Sequence, residues 1–123
     1  MNNKDNTRER PLTQQRKQEL LQRICEYVDA HLSERTTLLM VADAFGVSVS
    51  TVTQLFQHRT GSTFHRFLTG RRMAAAEQLI ARGVPLEEVG RQVDYTDHSS
   101  FYRTFKQIYG VSPRDYRQGK RKM

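Results

Sequence analysis

Asp97, His98 and Ser99 are the three residue types of a hydrolytic relay, set side by side in the chain. On a helix, adjacent side chains diverge by about 100°, so these three cannot pass a proton along a line. No glycine-rich phosphate loop, Gly-x-Ser-x-Gly elbow or His-Glu-x-x-His pair is present. His31, His58, His65 and His98 are scattered, and a single cysteine, Cys25, is too few for a zinc knuckle. No enzyme, metal site or cofactor is expected. The chain does offer hydrogen-bonding side chains at helical spacing. Ser50, Thr53, Gln54 and Gln57 fall on the side of a helical wheel opposite Val52, Leu55 and Phe56. Ser99, Tyr102, Arg103 and Lys106 fall opposite Phe101, Thr104, Phe105 and Ile108, with His98 on the flank. Amides and guanidinium groups make paired contacts to base edges, hydroxyls adapt, and lysine meets phosphate. Tyr102 fits a packing role equally well, because the phenol body is apolar. One such face is ordinarily a solvated face; two of them in one basic chain point to nucleic acid.

The charge distribution agrees. The 123 residues carry 20 Lys and Arg against 13 Asp and Glu, a net charge of +7, which favours a polyanionic partner. Residues 61–123 hold 12 of those cations and 6 of the carboxylates, so the excess sits in the second half. No apolar run approaches 18 residues, so no membrane-spanning helix is expected, and the N-terminus lacks the apolar core of a signal peptide. One cysteine excludes an intramolecular disulfide and suits a reducing compartment.

Periodicity assigns the elements that would position these faces. Leu20, Leu21, Ile24, Tyr27, Val28 and Leu32 form one stripe of an amphipathic helix over about 14–32. Leu38, Val41, Ala42 and Phe45 form a second, shorter stripe, with Thr37 at its N-cap and Gly46 at its stop. Residues 47–53 alternate Val-Ser-Val-Ser-Thr-Val-Thr and read equally well as an edge strand. An internal repeat decides between the two. An offset of 48 pairs Leu38 with Leu86, Val41 with Val89, Ala42 with Gly90 and Phe45 with Val93. Past one inserted residue, an offset of 49 pairs Ser48 with Asp97, Val52 with Phe101, Phe56 with Phe105, Gly61 with Gly110 and Phe67 with Tyr116. The second copy has no strand alternation, so the first is helical too. Each copy reads as helix, tight turn, helix. Gly46 is replaced by Asp94, one of the few side chains that tolerate a left-handed backbone. On turn geometry alone, glycine at 94 would be slightly more stable.

The expected fold is all-α: two helix-turn-helix subdomains, 13–60 and 84–118, joined by a long linker helix within 61–83. That helix starts at Ser62 and is closed by Gly83 and Pro85. A flexible arm over 1–12 and a basic tail over 119–123 flank them. At about 1.5 Å per residue, a helix over 62–82 spans roughly 31 Å, near the spacing of adjacent major grooves.

The run Val93-Asp94-Tyr95-Thr96-Asp97-His98-Ser99-Ser100-Phe101-Tyr102-Arg103-Thr104-Phe105-Lys106 closes with Gly110-Val111-Ser112-Pro113 and Tyr116-Arg117. It resembles the signature of AraC/XylS-type transcription regulators. Ala42, Gly46, Ser48, Val52, Leu55-Phe56 and Gly61 resemble that family's upstream helix-turn-helix, and Arg72-Met73-x-x-Ala76 its linker helix. Gly90 and Asp94 stand where the family usually has Ala and Gly, and Gln54 where it often has Arg. The resemblance implies a bacterial, cytoplasmic protein at the nucleoid that binds promoter DNA and recruits RNA polymerase. The length leaves no room for an effector domain, so the chain is expected to be similar to the small stand-alone activators, although a DNA-binding domain excised from a longer regulator would look similar.

The expectation is therefore a monomeric, sequence-specific regulator of double-stranded DNA, with no membrane partner and no cofactor. Ser50, Thr53 and Gln54 would read one major-groove segment and His98, Ser99, Tyr102 and Arg103 another, with Gln57, Lys106 and Arg114 towards phosphates. Because the two sets differ, the bound site should be asymmetric. Two other readings share the sequence: a protein-interaction regulator that titrates another factor, and a sequence-blind architectural or RNA-binding protein. The first rests on Leu39-Met40, which lies off the Leu38/Val41 stripe; the first helix is expected to cover that pair.

Overall fold

The computed structural model describes residues 12–119. Among them are seven helices and no strand: α1 (Gln14–Ala30), α2 (Leu38–Phe45), α3 (Val49–Thr60), α4 (Phe64–Ala81), α5 (Leu86–Gln92), α6 (His98–Tyr109) and α7 (Pro113–Arg117). The expected arm and basic tail lie outside the described residues, apart from Leu12 and Gly119. The chain forms two compact units, one from 12–31 and Thr36–Leu68, the other from Leu32–Arg35 and 69–119. The first turns of α4 belong to one unit and the remainder to the other.

The helices begin where short polar side chains can take up the unpaired N–H groups of a first turn. Thr13, Thr37 and Ser48 accept from Arg16, Met40 and Thr51, at 3.0–3.1 Å. Ser48 decides the ambiguous segment: its hydroxyl oxygen takes the Thr51 N–H, and Val52 turns inward as part of a helix. The start of α4 differs from expectation. Thr63, not Ser62, caps it, accepting from Arg66 N–H at 3.1 Å. Ser62 is tied up in the preceding turn, its N–H donating to Thr60 Oγ1 and its hydroxyl to the Thr63 carbonyl. With 18 residues, α4 is about 27 Å long, roughly one residue in seven shorter than the sequence suggests. The first helix ends at Ala30 rather than Leu32. His31 caps it, with Nδ1 2.7 Å from the Tyr27 carbonyl and its ring stacked on Tyr27.

The first unit buries Ile24 and Val28 of α1 with Val41, Ala42, Val52 and Phe56. Phe56 meets Phe64 and Phe67 with ring centroids 5.4 and 5.0 Å apart, which locks the back of α3 onto α4. Leu39 and Met40 are 60% and 44% exposed, so α1 does not cover them. Instead α1 meets α2 at Phe45, through the Tyr27 ring at 5.7 Å and the Arg23 guanidinium at 5.5 Å.

The second unit packs Met73, Ala76 and Ile80 of α4 against Val89, Val93, Phe101, Phe105 and Tyr116. Phe105 sits at its centre, with Tyr109 and Tyr116 rings 4.5 and 5.5 Å away. Thr104 is half-buried, but Ile108 is 47% exposed against expectation. Tyr109 closes that end of the core instead, and its hydroxyl donates to Glu77 at 3.3 Å while Tyr116 donates to the other oxygen of the same carboxylate. One α4 carboxylate thus ties down the ends of both α6 and α7.

Two outcomes follow from this core. Phe105→Ala should lower stability by about 3–5 kcal/mol through a cavity at the ring's position, read by thermal or denaturant melting. Burial, with Glu77 beside it, pushes the Tyr109 phenol from 10.0 up to about 12. The folded state therefore holds a proton that the unfolded chain has released, and stability falls as pH rises from about 10 through 12. Tyr109→Phe should flatten that part of the stability–pH curve; an unchanged slope would show that the phenol does not contribute.

Candidate nucleic-acid interface

Both outer faces are aimed by the same local device. In the first unit α2 ends with Gly46 at φ 66°, the Val47 N–H donating to the Ala42 carbonyl at 3.0 Å and the Gly46 N–H to Asp43 at 3.2 Å. This is the paired 6→1 and 5→2 closure that ends a helix through a left-handed residue. It turns the chain by 103° between α2 and α3. In the second unit the pattern recurs: Tyr95 N–H donates to Gly90 at 2.8 Å and Asp94 N–H to Arg91 at 3.1 Å, with Asp94 itself at φ 66°. The substitution of Asp for Gly leaves the closure intact. A Cβ built on Gly90 would lie 3.7 Å from the Phe101 ring, an ordinary contact.

The second recognition-type helix is capped by Asp97, whose carboxylate accepts the Ser99 N–H at 3.1 Å and the Ser100 hydroxyl at 2.9 Å. Those two bonds hold the Asp97 carboxyl below the usual carboxylate range. The neighbourhood of Asp97, His98 and Ser99 is thus a helix start, in which Asp97 bonds the backbone and Ser100 rather than the histidine.

Each residue expected in the interface has a definite place. Ser50, Thr53, Gln54 and Gln57 are exposed on α3, opposite buried Val52, Leu55 and Phe56. Gln54 Nε2 donates to Ser50 Oγ at 3.4 Å, one turn back along this face. His98, Ser99, Tyr102, Arg103 and Lys106 are exposed on α6, opposite Phe101 and Phe105. Tyr102 is 36% exposed, with its ring 5.9 Å from that of His98, so it belongs to the outer face rather than to the core. Arg114 is exposed on α7, whose cap Ser112 is buried and accepts the Asp115 N–H at 3.0 Å.

Periodicity does not reveal the residues that steady these faces. Arg59, in the last turn of α3, donates through Nη2 to the Gln14 carbonyl at 2.9 Å and to Gln14 Oε1 at 2.6 Å, pinning α3 to the start of α1. Arg72 of α4 donates to the Glu34 carbonyl at 3.1 Å and to the Asp94 carboxylate at 3.3 Å. Its partners lie 38 and 22 residues away, and only the family-like Arg72-Met73 pair hints at such a role.

The profile of the helix-turn-helix domain matches residues 41–119. The probable transcriptional regulator LumQ of Photobacterium leiognathi is 31% identical over 94 residues, covering 76% of this chain and 38% of LumQ. The chain spans about a third of the length of the curated relatives it matches. Among solved structures, the C-terminal domain of the response regulator AraT from Geobacillus stearothermophilus superposes with a TM-score of 0.77 at 29% identity, covering 85% of this chain and 88% of that domain. The DNA-binding domain of the global transcriptional factor AdpA, solved in complex with a target DNA, shares the fold, with a TM-score of 0.74 at 23% identity, covering 80% of this chain and 90% of that one.

The Asp94 turn carries a further expected outcome. Glycine there would relieve about 1 kcal/mol of left-handed strain, but it would also remove a part-buried, charge-assisted bond to Arg72 of about 1.5–3 kcal/mol. Asp94→Gly should therefore lose about 1 kcal/mol rather than gain stability, whereas in an Arg72→Ala background the same change should be neutral or stabilising. A denaturant melt of the four proteins checks this; an Asp94→Gly gain in the parent would show the ion pair to be inert.

Proposed function

The chain belongs to the AraC/XylS-type helix-turn-helix family of DNA-binding transcription regulators, not of enzymes, and from that premise we propose that it binds promoter DNA sequence-specifically as a monomer and activates transcription by recruiting RNA polymerase in the bacterial cytoplasm. The subdomains proposed are 13–60 and 84–118, joined by the linker helix. The observation that carries the reading is the pair of exposed polar faces, each opposite a buried stripe and each set by the same left-handed turn. Ser50, Thr53 and Gln54 read one major-groove segment. His98, Ser99, Tyr102 and Arg103 read a second, and Gln57, Lys106 and Arg114 contact phosphates. Arg103 is the natural guanine reader, since its planar fork matches O6 and N7 together.

A second reading is favoured by Leu39 and Met40, which are exposed where the second copy has Glu87 and Glu88. A regulator that works by holding another protein would present such an apolar pair. Mobility shifts against genomic fragments at two salt concentrations separate the readings. Specific complexes surviving at high salt support the regulator, uniform loss supports a sequence-blind architectural protein, and no complex supports the protein-titrating one. Within the preferred reading, Arg103→Ala should weaken the specific complex by about 1–3 kcal/mol and relax base preference at one position. An unchanged sequence logo would remove Arg103 from the base-reading set. A reporter under a bound promoter then tells activation from repression.

A further inference from the structure

The two outer faces differ in charge. Among the 12 residues of α3, Arg59 is the one lysine or arginine, and its guanidinium is bound to Gln14 on α1. What α3 presents at Ser50, Thr53, Gln54 and Gln57 is exposed and uncharged. In contrast, α6 exposes Arg103 and Lys106, and α7 adds Arg114. A cation seated on a phosphate releases a condensed counterion, and each such contact adds about 0.9 to the slope of log affinity against log salt. Amides and hydroxyls release none. They form hydrogen bonds whose strength barely changes with salt, and the natural partner of an amide is adenine, through N6 and N7.

Resting on the DNA-binding reading above, we propose that the two helices divide the work of recognition. The α6 face, with Arg114, adds salt-dependent anchoring to its own base reading, while α3 is a neutral reader whose Gln54 selects an adenine. Base changes under α3 then cost the same factor at every salt concentration, and the site contains an A·T pair that a family member with arginine at this position would not demand.

The test uses the full chain and a duplex selected from random sequence, with affinity measured from about 50 to 200 mM salt. Lys106→Ala should lower the salt slope by about one. Gln54→Ala should weaken binding by about ten-fold or more, by one factor across the whole range, and erase an adenine preference at one position. Gln57→Lys should raise the slope by about one, because it places a cation on a face that lacks it. The division is overturned if Gln54→Ala lowers the slope, if the base it reads is not adenine, or if Arg66→Ala, at an exposed cation in the first turn of α4, lowers the slope as much as Lys106→Ala does. Failure of the parent protein to select any sequence would instead overturn the DNA-binding reading itself.

Discussion

A helix-turn-helix can aim its second helix only if the chain reverses within one or two residues of the first, and that reversal demands a backbone at positive φ. Gly46 and Asp94 occupy that position at the same φ of 66°, and the same two hydrogen bonds close the helix before each of them. The polar faces of α3 and α6 owe their exposure to this constraint. With either residue forced into an extended conformation, Val52 or Phe101 would no longer meet its core. The second turn reaches the geometry with a less permissive residue, and the Arg72 guanidinium held against the Asp94 carboxylate offsets that cost.

Steadying long-range bonds complete the arrangement. Arg59 fixes the end of α3 to the start of α1, and Glu77 gathers the Tyr109 and Tyr116 hydroxyls so that α6 and α7 share one support. These charged or part-buried groups work inside the fold. Arg103 and Lys106 are exposed on α6 and Arg114 on α7, whereas α3 exposes no lysine or arginine, so the two faces differ in charge.

Much of the fold was legible because it repeats. The Val-Ser-Val-Ser-Thr-Val-Thr stretch is ambiguous by itself, yet its copy around Phe101 and Phe105 has a helical period only, and Val52 and Phe56 are buried as that copy requires. Asp94 could be assigned its left-handed place from Gly46 in the same way. Periodicity failed where a residue's environment depends on a distant neighbour. Ile108 lies on the apolar side of the wheel, but Tyr109 reaches Glu77 and takes the covered position. Periodicity puts Leu39 and Met40 beneath α1, but α1 meets α2 at Phe45 and leaves the pair exposed. Ser62, the expected start of α4, is claimed by the preceding turn, so Thr63 caps the helix instead. The exposed sets on α3 and α6 were legible as faces. The withdrawal of Arg59 from α3 was not, because its partner is 45 residues away.

In the proposed reading, one chain carries two different reading faces and uses both on one stretch of DNA. Hydroxyl-radical footprinting on a selected duplex, with the complex mass measured by native mass spectrometry on the same sample, tests it most directly. The expected result is one chain on an asymmetric site with two protected segments of unlike sequence. Two chains on a palindrome, or one protected segment with Ser50, Thr53 and Gln54 indifferent to sequence, would contradict it.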